Sequence, residues 1–206
     1  GGYEARAMTA YAHLSGRGKS RYKWLRPTLF TPKLMTALEA DNATLIEVLR
    51  VCGPWEPDDD SKLAALFDLI TQTHPDDKVL VFSQFADTVT YLERELRQRG
   101  VTEMAAATGH SHDVTALARR FSPFSNRPLG SDDRFVRPAD ALRVLISTDV
   151  LSEGQNLQDA AIVVNFDLPW AIIRLSQRAG RVDRIGQQAE RILCYSFLPQ
   201  DGVGQI

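Results

Sequence analysis

Cysteine is nearly absent: the 206 residues hold two, Cys52 and Cys194. Neither has a paired spacing or a histidine cluster beside it, which excludes a disulfide framework and a zinc motif and points to a reducing compartment, the cytoplasm. No run approaches the ~20 apolar residues of a spanning helix, so no membrane partner is expected. An excess of one charge is also missing, because 24 Lys+Arg against 26 Asp+Glu leave a formal net charge of -2. Bulk attraction to nucleic acid is thereby excluded, although a groove with a few phosphate contacts stays open. There is no signal-peptide pattern and no initiator Met, and the chain reads as a piece of a longer polypeptide. What is present is 44% hydrophobic residue, enough for one good core.

The charge is unevenly spread. From Gly1 to Lys33 about seven basic residues stand against Glu4 alone, which reads as a solvated, partly flexible leader or as an anion-facing segment. Leu45, Ile46 and Leu49 keep helical spacing until Cys-Gly-Pro-Trp-Glu-Pro-Asp-Asp-Asp, at residues 52–60, breaks it. Residues 1–60 are therefore a basic leader and helical linker. Beyond them, Leu63, Leu66, Phe67 and Ile70 mark an amphipathic helix capped by Asp60 or Ser61.

Lys78 to Ser83 is a short apolar run of the kind buried on both faces of a parallel sheet. Val89, Leu92 and Leu96 return to helical spacing and stop at Gly100. Met104 to Ala107, Arg143 to Ser147, Ile162 to Phe166 and Arg191 to Phe197 are further strands, with a helix around Val114 to Phe121 and an exposed insertion over residues 122–141. Alternating β and α elements predict an α/β sandwich around a mainly parallel sheet, in which ligands gather at the carboxyl ends of strands. Those ends carry Ser83-Gln84, Thr108-Gly109-His110, Thr148-Asp149 and Asp167. Each can equally end its strand with local hydrogen bonds. Phe82, Phe85, Phe166 and Trp170 read as core or cleft-edge packing.

Trp170 to Gly186 predicts one helix, with Ile172, Leu175, Ala179 and Val182 on its apolar face and Arg174, Gln177, Arg181 and Arg184 in a stripe opposite, ended by Gly186. Such a stripe is either a solvated surface with acid partners or a clamp for polyphosphate, since guanidinium forks match phosphate oxygens.

Gln177-Arg178-Ala179-Gly180-Arg181-Val182-Asp183-Arg184-Ile185-Gly186-Gln187 resembles motif VI of superfamily 2 helicases and translocases, and its ending resembles the Swi/Snf branch. Ser147 to Gln158 is similarly like motif V, and Val79 to Phe85 like motif IV, in the family's order; Asn165 to Trp170 looks closest to bacterial members. The resemblance covers about Ser61 to Leu198. It implies the second, carboxyl-terminal RecA-like lobe of the motor, at residues 61–206, as a three-layer sandwich. It also implies use of ATP with Mg2+, held mainly by an amino-terminal RecA-like lobe of the same protein, and double-stranded DNA as the nucleic-acid partner.

Position by position, the resemblance makes Arg181 and Arg184 arginine fingers for the γ-phosphate, with Gln177 supporting the same face. Gly154 would allow close backbone approach to the nucleotide, with Asn156 and Glu153 beside it. Related helicases often carry Asp in place of Asn156, and some branches carry arginine in place of Glu153. Ser83, Gln84, Thr108, Gly109, His110 and Thr148 would meet the nucleic-acid backbone.

The phosphate-binding loop of such a motor is missing. In Gly16-Arg17-Gly18-Lys19-Ser20 the required first glycine position is His13 and no buried strand precedes the loop. The chain alone is therefore expected to hydrolyse no ATP. A non-catalytic RecA-like docking module for protein or nucleic acid is the alternative. A self-contained ATPase using Lys19 ranks behind both.

Overall fold

The computed structural model describes residues 2–16, 25–127, 136–152 and 155–198. The Lys19 loop, the middle of the 122–141 insertion, Glu153 and Gly154 lie outside the described residues. The chain divides into two units, residues 1–55 and 56–206.

In the first unit, α1 (Gly2–Ser15) and α2 (Pro32–Cys52) are helices. Helix over Gly2–Ser15 draws on alanines, Met8 and Leu14, which are strong helix formers, and its described side chains are mostly exposed. Pro32 opens α2, where its missing N–H costs no hydrogen bond, and Gly53 at φ 70° follows the end.

In the second unit, Asp60 caps α3 (Ser61–Asp68): one carboxylate oxygen accepts from the backbone N–H groups of Lys62 and Leu63, each at 3.0 Å. A π-type turn, Leu69–Thr73, carries the chain to β1 (Val79–Phe82). Then follow α4 (Ala86–Gln98), β2 (Met104–Ala107), α5 (Val114–Phe121), β3 (Val144–Ser147), β4 (Ile162–Asn165), α6 (Ile173–Ala179) and β5 (Leu193–Ser196). Gly100, at φ 90°, turns the chain out of α4. The five strands pair in parallel in the order β2-β3-β1-β4-β5.

The uninterrupted apolar runs follow from burial on both faces. Val79 and Val81 of β1, with Val144, Ile146, Ile162 and Val164 of its neighbours, face Leu63 and Leu66 of α3 and Val89, Leu92 and Leu96 of α4. Leu80 and Phe82, with Leu145 and Val163, face Ala118 and Phe121 of α5 together with Leu151, Leu157 and Val182. Period-two alternation thus sends one strand into two cores. The edge strand β5 is partly exposed.

The insertion reading is corrected at its ends. Ser122, Pro123 and Ala141 are buried, and the Asp159 carboxylate accepts from the N–H groups of Phe124 and Ser125 at 2.8 Å each.

Lys78 precedes β1 and joins two segments, its ammonium donating to the carbonyls of Phe121 (2.5 Å) and Leu142 (2.6 Å). Burial pushes its pKa down from 10.5 to about 8, against the pull of Asp159. Between about pH 8 and 10.5 the unfolded chain therefore binds more protons at this site than the folded one. The resulting penalty is full below pH 8 and is relieved as pH rises through that window. Urea unfolding should show wild type gaining stability relative to Lys78→Met between pH 7.5 and 10; a constant difference refutes the assignment.

Candidate functional site

The register aligns the functional strand ends. Phe82 pairs with Ser147 and Asn165, and Ser147 with Ala107, so Ser83, Thr148 and Thr108 follow at one level along the carboxyl edge. The Ser83 N–H donates to the Ser147 carbonyl, and the Thr148 N–H to that of Ala107, both at 3.0 Å. Gly109 and His110 are exposed, and Thr108 closes their turn: its N–H donates to Ser111 Oγ at 2.9 Å, and its Oγ1 accepts from the His110 N–H at 3.3 Å.

The placement of Ser83 on the nucleic-acid face is corrected. Its side chain is fully buried and its hydroxyl donates to Asp167 at 2.5 Å. The Gln84 N–H donates to both Asp167 oxygens (3.0 and 2.9 Å), and its amide to the Leu168 carbonyl at 3.0 Å. Ser83 supports the edge from below, whereas Thr148 and Gln84 are only partly buried. Of the aromatics read as core or cleft-edge packing, Phe82 and Phe166 are buried, whereas Phe85 and Trp170 are 62% and 94% exposed and lie outside the core.

The expected helix from Trp170 to Gly186 is shorter. It ends at Ala179, because Gly180 favours leaving the helix, and the following N–H groups turn back on i−3 carbonyls: Arg181 to Arg178 at 3.2 Å and Val182 to Ala179 at 3.0 Å. Arg174 and Gln177 therefore lie on α6, and Arg181 and Arg184 in the turns after it. Ile172, expected on the apolar face, is exposed, while Val182 is buried.

The turn after α6 is strapped to the segment following β3. Arg184 Nη1 donates to the Gln155 carbonyl at 3.4 Å, Gln158 Nε2 to the Ile185 carbonyl at 2.7 Å, and Gln187 Nε2 to the carbonyls of Ala160 and Val182 at 2.9 Å each. Asn156 is exposed beside this strap, its carbonyl accepting from Asn126 Nδ2 at 2.8 Å. The structure thus brings Arg184 to the Asn156 loop, and Gln177 stands exposed on α6.

Sequence reasoning missed the most buried charge of the site. Arg178 is 1% exposed. Its Nε donates to Asp149 Oδ1 at 2.8 Å and Nη2 to Oδ2 at 3.4 Å, while Nη1 donates to Asn165 Oδ1 (3.1 Å) and to the Asp167 carbonyl (3.4 Å). The guanidinium lies 5.2 Å from the Phe82 ring centroid. Arg174 donates to Asp149 Oδ2 at 3.0 Å. The available signal was an acid after each strand flanking β1, with Arg174 and Arg178 one helical turn apart.

Cationic side chains on a loop beside Asn156 suit phosphate oxygens. Among the described residues no group of three or more His, Cys, Asp or Glu is placed to hold a metal ion, and no helix is long and apolar enough to cross a membrane.

A five-stranded parallel sheet with polar strand ends, and an arginine-bearing turn tied to the loop after β3, has the architecture of a RecA-like lobe. Residues 61–186 match the model of the helicase conserved C-terminal domain, and the chain belongs to that family, in its Swi/Snf-like branch. It is 32% identical over 130 residues to the ATP-dependent helicase YqhH of Bacillus subtilis, covering 63% of this chain and 20% of that protein. It is likewise 32% identical over 165 residues to the RNA polymerase-associated protein RapA of Pectobacterium atrosepticum, covering 80% of this chain and 15% of RapA. The chain thus spans a fifth or less of the curated relatives it matches. The C-terminal part of the Fun30 ATPase domain shares the fold, with a TM-score of 0.56 at 18% identity over 81% of this chain and 51% of that one.

Proposed function

We propose that residues 61–206 form the carboxyl-terminal motor lobe of an ATP-dependent translocase on double-stranded DNA, with residues 1–60 leading into it. The observation that carries this reading is the strap joining the Arg181–Arg184 turn to the Asn156 loop, on the same sheet whose carboxyl edge aligns Thr108 and Thr148.

Arg181 and Arg184 would set fixed positive charge against the γ-phosphate of ATP–Mg2+ held by an amino-terminal lobe, where charge develops during phosphoryl transfer. Gln177 would support that face, and Glu153, Gly154 and Asn156 would contribute to nucleotide binding. Thr148, Gln84 and the Thr108–His110 turn would hold backbone phosphates without reading bases. Opening and closing of the two lobes would then move those contacts along the strand.

The test is ATP turnover by the full-length protein with duplex DNA, single-stranded DNA or RNA, beside this chain alone. Duplex should stimulate most and the isolated chain should show no turnover. DNA-stimulated hydrolysis by the 206 residues, or stimulation by RNA alone, contradicts the reading.

A further inference from the structure

We infer that the Arg178–Asp149 pair is a positioning device that carries the state of the nucleic-acid edge to the Arg181 turn; this rests on the motor reading above. Two strand ends bond one buried guanidinium directly, and two further segments are tied to it through Asp167 and through the Arg178 backbone. Asp149 follows Thr148 at the end of β3. Asn165 and the Asp167 carbonyl belong to the end of β4. The Asp167 carboxylate holds Ser83 and the Gln84 N–H at the end of β1. The Arg178 carbonyl accepts the Arg181 N–H at 3.2 Å, so the base of the arginine turn hangs from the same residue. A shift of the chain at Thr148 must move the Asp149 carboxylate, and with it either the bidentate bond or α6.

Stability alone is a poor reason for this arrangement. A buried ion pair is often matched or bettered by apolar residues of similar volume, and the surrounding core already supplies Phe82, Leu151 and Val182. What apolar packing lacks is direction. A planar fork bonded to Asp149 and Asn165 fixes the orientation of α6 relative to two strand ends, which lysine would not reproduce.

The test measures, in the full-length protein, the ratio of duplex-stimulated to unstimulated ATP turnover for Arg178→Met, Asp149→Leu and the apolar double variant that combines them. The double variant removes both charges together and is chosen to keep the fold. The ratio should fall about tenfold in the double variant, with an unfolding midpoint near that of wild type. In a double-mutant cycle, Asp149→Leu should lower the ratio no further once Arg178→Met is present. A wild-type ratio in the double variant, or independent additive losses, overturns the inference alone. A wild-type protein that nucleic acid does not stimulate overturns the motor reading with it.

Discussion

Replacing Arg181 by alanine in the full-length protein is expected to lower ATP turnover by about 10³-fold, while nucleotide affinity changes by less than about threefold. The asymmetry follows from where the charge acts. A guanidinium brought across a cleft meets charge that develops only as the phosphoryl group transfers, so its loss appears in kcat and not in ground-state binding. The backbone of the turn persists in this variant, because the Arg181 N–H still reaches the Arg178 carbonyl and Gln187 still ties Val182 to Ala160. Steady-state kinetics with direct nucleotide titration separate the two quantities. Equal losses in affinity and turnover would instead make Arg181 a simple phosphate anchor.

The second large effect is on stability. Asp149→Leu removes the bidentate partner of a guanidinium that is 1% exposed, leaving Arg178 with Asn165, the Asp167 carbonyl and the Asp167 carboxylate at 3.9 Å. Removing one partner of a buried pair typically costs 3–5 kcal/mol, and because Asp149 is 25% exposed and Arg178 keeps these other acceptors, about 3 kcal/mol is expected here. Arg174 loses a partner as well, but its side chain is 52% exposed and contributes little. Urea unfolding of this chain should show the loss in Asp149→Leu and its recovery to near the wild-type midpoint when Arg178→Met is added. A single variant as stable as wild type would mean that the remaining acceptors suffice for the charge.

Much of the fold is legible in the sequence. The strands β1, β3 and β4 announced themselves because parallel burial on both faces demands unbroken apolar runs, and the helix caps at Asp60 and Gly100 carry local chemistry that needs no tertiary context. The polar strand ends were legible for the same reason, since their register follows from the runs before them.

The errors have one origin: tertiary contacts that periodicity does not encode. Spacing leaves Arg178 out of the cationic stripe and gives it no role, whereas Asp149 after β3 and Asp167 after β4 draw it into the core. Ser83 looked like an exposed loop hydroxyl until Asp167, 84 residues away, claimed it. The helix through Arg181 and Arg184 was read past Gly180 because Val182 keeps apolar spacing, yet Val182 reaches the core from a turn. Trp170, one of the aromatics read as core or cleft-edge packing, lies outside the core.

The most direct measurement is a crystal structure of the full-length protein with duplex DNA, ADP, Mg2+ and a γ-phosphate mimic. The Arg181 guanidinium should lie about 2.7–3.1 Å from an oxygen or fluorine of the mimic, with Arg184 on the same side of the cleft. Both guanidiniums turned away from the nucleotide while the lobes are closed would contradict their assigned role.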